Sequence, residues 1–230
     1  MSTLPAAVLW DMDGTLVDTE PYWIAAEHEL VEEHGGQWSD EFAHELVGNA
    51  LDVSAEMIIK HSGITLSVPE IIQGLLTRVI SQVQGQVPWR PGSRELLTAL
   101  HDLGIPCALV TMSWRSLTDA VVSHLPPGTF DVVVTGDEVS HGKPHPEPYL
   151  AAARALRVEP GRCVALEDSP TGVRSATAAG VPTVAIPHIV PVPQTEGAVQ
   201  VDTLIGLTPN GLGLLASQAG SSRASATPGT

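Results

Sequence analysis

Four acids stand where short apolar runs end. Asp11 and Asp13 follow the run Ala7–Trp10 in Asp11-Met12-Asp13-Gly14-Thr15, and Glu167 and Asp168 follow Cys163–Leu166 ahead of Ser169-Pro170-Thr171-Gly172. Thr111-Met112-Ser113 closes a third such run, and Lys143, one of only two lysines in the chain, stands in Gly142-Lys143-Pro144. Carboxylates gathered in one cleft repel each other strongly, so a cluster of this kind calls for a cation. Hard oxygen ligands suit Mg²⁺, which takes one or two carboxylates, water and substrate phosphate oxygens. A phosphomonoester dianion would complete the charge balance with Mg²⁺ and Lys143. The chemistry indicated is phosphoryl transfer, where positioning and neutralisation supply most of the catalysis. Gly14, Thr111, Met112, Ser113 and Lys143 would offer backbone, hydroxyl and ammonium donors to the phosphoryl oxygens.

These residues can meet only if the runs before them are neighbouring strands. Ala7–Trp10, Cys107–Val110, 132–134, Cys163–Leu166 and 183–186 are apolar or β-branched and end at turn residues, as buried parallel strands do. Helical patterns over 94–103, 116–125, 146–156 and 173–179 separate the last four. That alternation predicts an α/β fold, a doubly wound, Rossmann-like parallel sheet, whose ligands bind beyond the carboxyl ends of the strands. Between Gly14 and Pro88 lie about seventy residues, where a crossover needs only a dozen or more. One helix is expected from about Thr19 to Gly35-Gly36, another from about Asp52 to Gly63, and a third after Ser67 with Ile71, Ile72, Leu75, Leu76, Val79, Ile80 and Val83 at helical spacing. The expected division is a catalytic core over 1–17 and 88–206, a small all-helical cap over 18–87, and a disordered tail over 207–230 rich in Gly, Ser, Ala and Thr.

With these motifs in this order, the chain resembles the haloacid dehalogenase superfamily of aspartate-nucleophile phosphatases. The match runs over residues 5–190 and is carried by Asp11-Met12-Asp13-Gly14-Thr15, Thr111, Lys143 in Gly-Lys-Pro, and Glu167-Asp168. The helical insertion resembles the cap of the subgroup containing beta-phosphoglucomutase and phosphoglycolate phosphatase. The resemblance implies that Asp11 attacks phosphorus and becomes an aspartyl-phosphate, while Asp13 protonates the leaving alkoxide and then activates water. It further implies that Asp11, the Asp13 carbonyl and Asp168 hold Mg²⁺ with Glu167 in support, and that Thr111 and Lys143 grip the phosphate. A hydrolase of a small, sugar-phosphate-like monoester is expected, its cap closing to exclude bulk water. A phosphomutase ranks lower because a second phosphate calls for cap cations. The insertion offers only Lys60 and Arg78, and the run Gly48-Asn49-Ala50-Leu51-Asp52 lacks the basic residue that mutase relatives carry there. A dehalogenase has no need of Asp13, and Lys60 is a weak candidate for the Schiff-base lysine of phosphonate-cleaving relatives. A catalytically silent binding module would be expected to have lost the nucleophile or a metal acid, and neither is missing.

Other readings of the same residues are weaker. An EF-hand calcium loop fails because Gly14 is fourth in its run, not sixth. His141 and His145 flank Lys143, but no thiolate or paired histidine motif accompanies them, so a solvated loop is the expected setting. Trp38 is expected in the cap core, and Trp23 could serve core or substrate pocket. A formal charge of −15 with 11 basic residues leaves no basic stripe for a nucleic-acid backbone. No apolar run is long enough for a bilayer, so no membrane partner is expected. The expected setting is cytoplasmic, with Cys107 and Cys163 reduced, a small phosphorylated metabolite as partner, and a monomer or weak dimer.

Overall fold

The computed structural model describes residues 4–46 and 50–224. Its elements run β1 (Ala7–Trp10), α1 (Glu20–Glu33), α2 (Asp40–Leu46), α3 (Leu51–Ser62), α4 (Val68–Gly85), α5 (Ser93–Asp102), β2 (Cys107–Val110), α6 (Arg115–Val122), β3 (Val132–Val134), α7 (Glu147–Leu156), β4 (Cys163–Glu167), α8 (Pro170–Ala178), β5 (Thr183–Ala185), β6 (Ala198–Gln200) and α9 (Pro209–Ala224). By contacts the chain divides into a sheet unit, Met1–Val17 with Trp89–Arg115 and Leu125–Thr230, and a helical unit, Asp18–Pro88 with Ser116–His124.

In the sheet unit six strands pair in the order β3-β2-β1-β4-β5-β6, all parallel. Strands β1, β2, β4 and β5 are buried along their whole length. They therefore show no apolar–polar alternation, and β1 and β2 are apolar throughout. Chain order reverses at β1, which lies between β2 and β4, so the tips of these three strands flank the point where an open parallel sheet binds ligands. One face of the sheet carries Ala7, Leu9, Ala108, Val110 and Ala165 against Tyr149, Ala152 and Ala153 of α7 and Ala176 of α8.

The predicted tail is instead largely a helix. Helix α9 packs on β5, β6, β4 and α5, and its buried positions, Pro209, Leu212, Gly213 and Ala219, recur at helical spacing. The stripe exists but is made mostly of small residues, which carry little hydropathy contrast. The last six residues of that predicted tail, 225–230, lie outside the described residues. Strand β6 and helix α2 also add to the elements that the sequence pattern predicts: the first is a three-residue edge strand and the second has seven residues.

In the helical unit α4 packs on α1 and α3. Its start is fixed by Ser67, whose amide and hydroxyl both donate to the Glu70 carboxylate, at 2.8 and 2.6 Å. Ile71, Ile72, Leu75, Leu76, Val79 and Val83 form its buried stripe, each worth about 1.5–3 kcal/mol when withdrawn from water. Helix α1 buries an acid, Glu27, which accepts the Trp38 indole N–H at 3.0 Å. Trp38 itself is half-buried and stacks on Phe42.

Candidate active site

The sheet's hydrogen bonding reaches one residue past two strand ends, and there it fixes the chemistry. Asp11 donates its amide to Leu166 O at 3.0 Å, and Thr111 donates its amide to Val134 O at 3.0 Å. Glu167 is the last residue of β4, with its carbonyl accepting the Ile186 amide at 2.7 Å. Asp11, Thr111 and Glu167 are thus set on adjacent tips by the backbone itself.

Lys143 reaches this edge from the loop before α7. Its ammonium donates to Asp11 Oδ1 at 2.6 Å, to Glu167 Oε1 at 2.6 Å and to Val110 O at 2.9 Å. Burial on its own would lower the lysine's pKa, but the carboxylates of Asp11 and Glu167 outweigh it and hold the ammonium well above its ordinary value. Glu167 is fully buried. Besides Lys143, its Oε1 accepts the Tyr149 hydroxyl at 2.6 Å, and its Oε2 accepts the Ser169 hydroxyl at 3.3 Å. Burial, followed by the charge of Glu167, raises the Tyr149 phenol and keeps it a donor.

Three of the four acids crowd each other. The carboxylates of Asp11, Glu167 and Asp168 offer oxygens within 4.8 Å of one another. Burial first, then the charge of Glu167, pushes Asp11 up to about 7. Burial, then Asp11 and Glu167, pushes Asp168 to about 9. Asp11 Oδ2 is buried with no hydrogen-bond partner among the described residues. A group of neighbouring carboxylates whose pKa values are driven upward is what a divalent cation would relieve, so the donor set fits Mg²⁺. A side chain at Gly14, whose φ is +88°, would put its Cβ 2.0 Å from Asp168 Oδ2, so only glycine lets that carboxylate lie there. Gly172 does the same for Glu167, with an added Cβ 1.9 Å from its oxygens.

Asp13 is held separately. Its Oδ2 accepts the Ser113 hydroxyl at 2.7 Å and the Thr111 hydroxyl at 3.3 Å, while Thr111 Oγ1 in turn accepts the Ser113 amide at 3.0 Å. Met112 turns its side chain toward the lysine loop, with the Lys143 amide 3.1 Å from Sδ. The structure therefore gathers Asp11, Asp13, Gly14, Thr111, Met112, Ser113, Lys143, Glu167 and Asp168 on one edge of the sheet. Tyr149 and Ser169 complete the polar network and were not singled out in the sequence, where a tyrosine in Ala-rich α7 reads as core. Ser169 also caps α8, accepting the Gly172 amide at 3.0 Å. Gly48 and Asn49 of the run bearing on mutase activity lie outside the described residues.

A Rossmann-like sheet with paired acids at the first and fourth strand tips defines an aspartate-bearing hydrolase architecture, and comparison with known proteins places it. Residues 8–186 match the model of the haloacid dehalogenase-like hydrolases, and the chain belongs to that family. It is 29% identical over 187 residues to hexitol phosphatase B of Escherichia coli, covering 79% of this chain and 83% of that protein. It is 30% identical to the bifunctional riboflavin kinase/FMN phosphatase of Arabidopsis thaliana over 82% of this chain, and the match spans only half of that longer protein. The crystal structure of a mutant of CbbY from Rhodobacter sphaeroides in complex with xylulose-(1,5)bisphosphate superposes with a TM-score of 0.82 at 29% identity, covering 91% of this chain and 99% of that one. Two of these relatives are named phosphatases, in line with the enzyme class expected from the motifs. Among the described residues no helix is long and apolar enough to cross a membrane.

Proposed function

We propose that this chain is a cytoplasmic, Mg²⁺-dependent phosphatase of small sugar-phosphate-like monoesters that works through an aspartyl-phosphate on Asp11. The observation carrying this reading is the asymmetry of the Asp11 carboxyl: Oδ1 is bound by Lys143 at 2.6 Å while Oδ2 is uncommitted. A nucleophile needs that arrangement, one oxygen fixing the group's orientation and the other left to react. Mg²⁺ would be held by Asp11, Asp168 and the Asp13 carbonyl, with Glu167 beside them, and when bound would supply charge neutralisation for the phosphoryl oxygens. Asp11 attacks phosphorus, and the P–O bond to the alcohol breaks as Asp13 gives that oxygen its proton. Water then attacks the aspartyl-phosphate, Asp13 takes a proton from it, and the acyl-phosphate P–O bond breaks to return Asp11 and release phosphate. Ser113 and Thr111 aim the Asp13 carboxyl, and Lys143 counters the charge of Asp11 and of the phosphoryl group.

The phosphatase names of the relatives favour hydrolysis over phosphoryl transfer to a second sugar. So does the helical unit, where Arg78 is ion-paired to Glu33 and Lys60 is exposed, which leaves Arg78 committed rather than available to a second phosphate. Asp11→Asn is expected to lower p-nitrophenyl phosphate turnover by a factor on the order of 10³ or more with folding preserved. Substantial residual turnover would remove Asp11 from the nucleophile's role. Exhaustive chelation is expected to abolish activity and added Mg²⁺ to restore it; unchanged rates after chelation would defeat the metal assignment. Initial rates across a panel of hexitol, hexose, pentose and flavin phosphates would identify the substrate class.

A further inference from the structure

A second group of metal-capable side chains lies apart from the acids and has no part in the proposed reaction. His141, His145 and Glu147 each offer a ligand atom within 4.8 Å of the other two. The three are fixed by more than proximity. Glu147, the first residue of α7, accepts the amides of Ser140 at 2.8 Å and His141 at 3.0 Å. His141 Nδ1 also lies 2.9 Å from Glu147 Oε2, a contact that engages only one of the two ring nitrogens. His145 Nδ1 accepts the Glu147 amide at 3.2 Å, and the two imidazoles lie with centroids 4.7 Å apart. The rings are solvent-exposed, at 67% and 51% of their side-chain surface, so the pair does not cover an apolar patch.

We infer that His141, His145 and Glu147 bind one transition-metal dication of the zinc or nickel class. Imidazole nitrogen with a single carboxylate suits those ions, whereas Mg²⁺ prefers an all-oxygen set. Ligands at about 2.0–2.1 Å from a tetrahedral ion stand about 3.4 Å from one another. Exposed rings on a loop close the remaining ångström by rotation, and water fills the rest of the coordination shell. The Glu147 carboxylate offsets part of the ion's charge, and its amide contacts hold it in place as a partner already ordered before binding. Because the ligands bracket Gly142-Lys143-Pro144, the bound ion ties together the two ends of the segment that delivers Lys143.

The test is calorimetric titration of tag-free protein with Ni²⁺ and with Zn²⁺ in saturating Mg²⁺. Three proteins are compared: the unaltered chain, Asp11→Asn/Asp168→Asn, and His141→Ala/His145→Ala. One equivalent of ion is expected in the first two and binding at least about tenfold weaker in the third. Unchanged affinity in the histidine variant overturns the site, and so does loss of the ion in the acid variant, which would put it among the carboxylates. If the alanine pair fails to fold, His141→Gln/His145→Gln takes its place with the same expectation. Paramagnetic broadening by Ni²⁺ is expected at the imidazole resonances of His141 and His145; broadening confined to other histidines also overturns the assignment. None of these readings depends on phosphatase activity.

Discussion

Glu27 in the helical unit and Glu167 in the sheet unit are both withdrawn from water, at 4% and 0% exposure, and they are held in opposite ways. Glu27 has a neutral partner, the Trp38 indole, and burial pushes it up to about 8, so at neutral pH it is mostly a protonated acid. Glu167 faces an ammonium and a phenol hydroxyl, both at 2.6 Å, and that ammonium also holds Asp11. The difference separates two uses of a buried carboxyl. Without a cation, burial is met by keeping a proton, and the group serves packing and one hydrogen bond. With one, the carboxyl is gripped by an ammonium as well as by a neutral donor, an arrangement that a site can use for electrostatic preorganisation.

The largest effect is expected on removing that cation. Lys143→Met keeps the aliphatic stem but strands Asp11 and Glu167 without a counter-charge. Breaking a buried pair in this way costs about 3–5 kcal/mol, to be read from urea midpoints of the metal-free protein, together with loss of turnover. A Lys143→Met protein as stable as the parent would mean that the sheet unit tolerates its acids as the helical unit tolerates Glu27, and the contrast would fail. Tyr149→Phe tests the same carboxylate from its other side. A hydrogen bond to a charged group is worth about 1.5–3 kcal/mol, and with the ring retained no cavity forms. Tyr149 is a positioning residue, acting on Lys143 through Glu167, so its loss is expected to lower kcat more than it raises KM and to shift the pH profile of kcat. Equal loss of stability with an unmoved pH profile would make Tyr149 structural only.

How much of this could be read beforehand differs between the same two units. The sheet was legible because β1, β2 and β4 are buried on both faces and so spell apolar runs, and the acids were legible because they follow those runs directly. Helix α9 was not, since its buried stripe of Pro209, Leu212, Gly213 and Ala219 has almost no amphipathic contrast. Nor was the role of Tyr149, because a tyrosine beside Leu150 and Ala152 reads as core until its hydroxyl is located. Glu167 and Asp168 are adjacent acids in the sequence, and only the third dimension separates them: one is tied to Lys143, Tyr149 and Ser169, the other leans over Gly14. In the helical unit the α4 stripe was plain, whereas Glu27 on α1 gave no sign that it would be buried, since acids on helices are ordinarily solvated.

The effect expected at Glu27 depends on pH and is smallest in acid. Below the ordinary carboxyl value near 4.5 the group is protonated whether the chain is folded or not, and its contribution to stability is complete. Between there and about 8 the folded chain keeps the proton and the unfolded chain loses it, so unfolding releases a proton. Stability then falls as pH rises, by up to about 1.4 kcal/mol per unit. Above the folded value the loss levels off. Glu27→Gln keeps a carbonyl oxygen for the Trp38 indole and cannot ionise, so it is expected to match the parent within about 0.5 kcal/mol at pH 5 and to exceed it at pH 8. Urea unfolding of both proteins at the two values isolates the term, because the titrations of Asp11 and Asp168 cancel in the difference. A difference that stays constant across that range would mean that Glu27 is already ionised in its pocket, and the helical unit would then bury a charge with no cation, as the sheet unit does not.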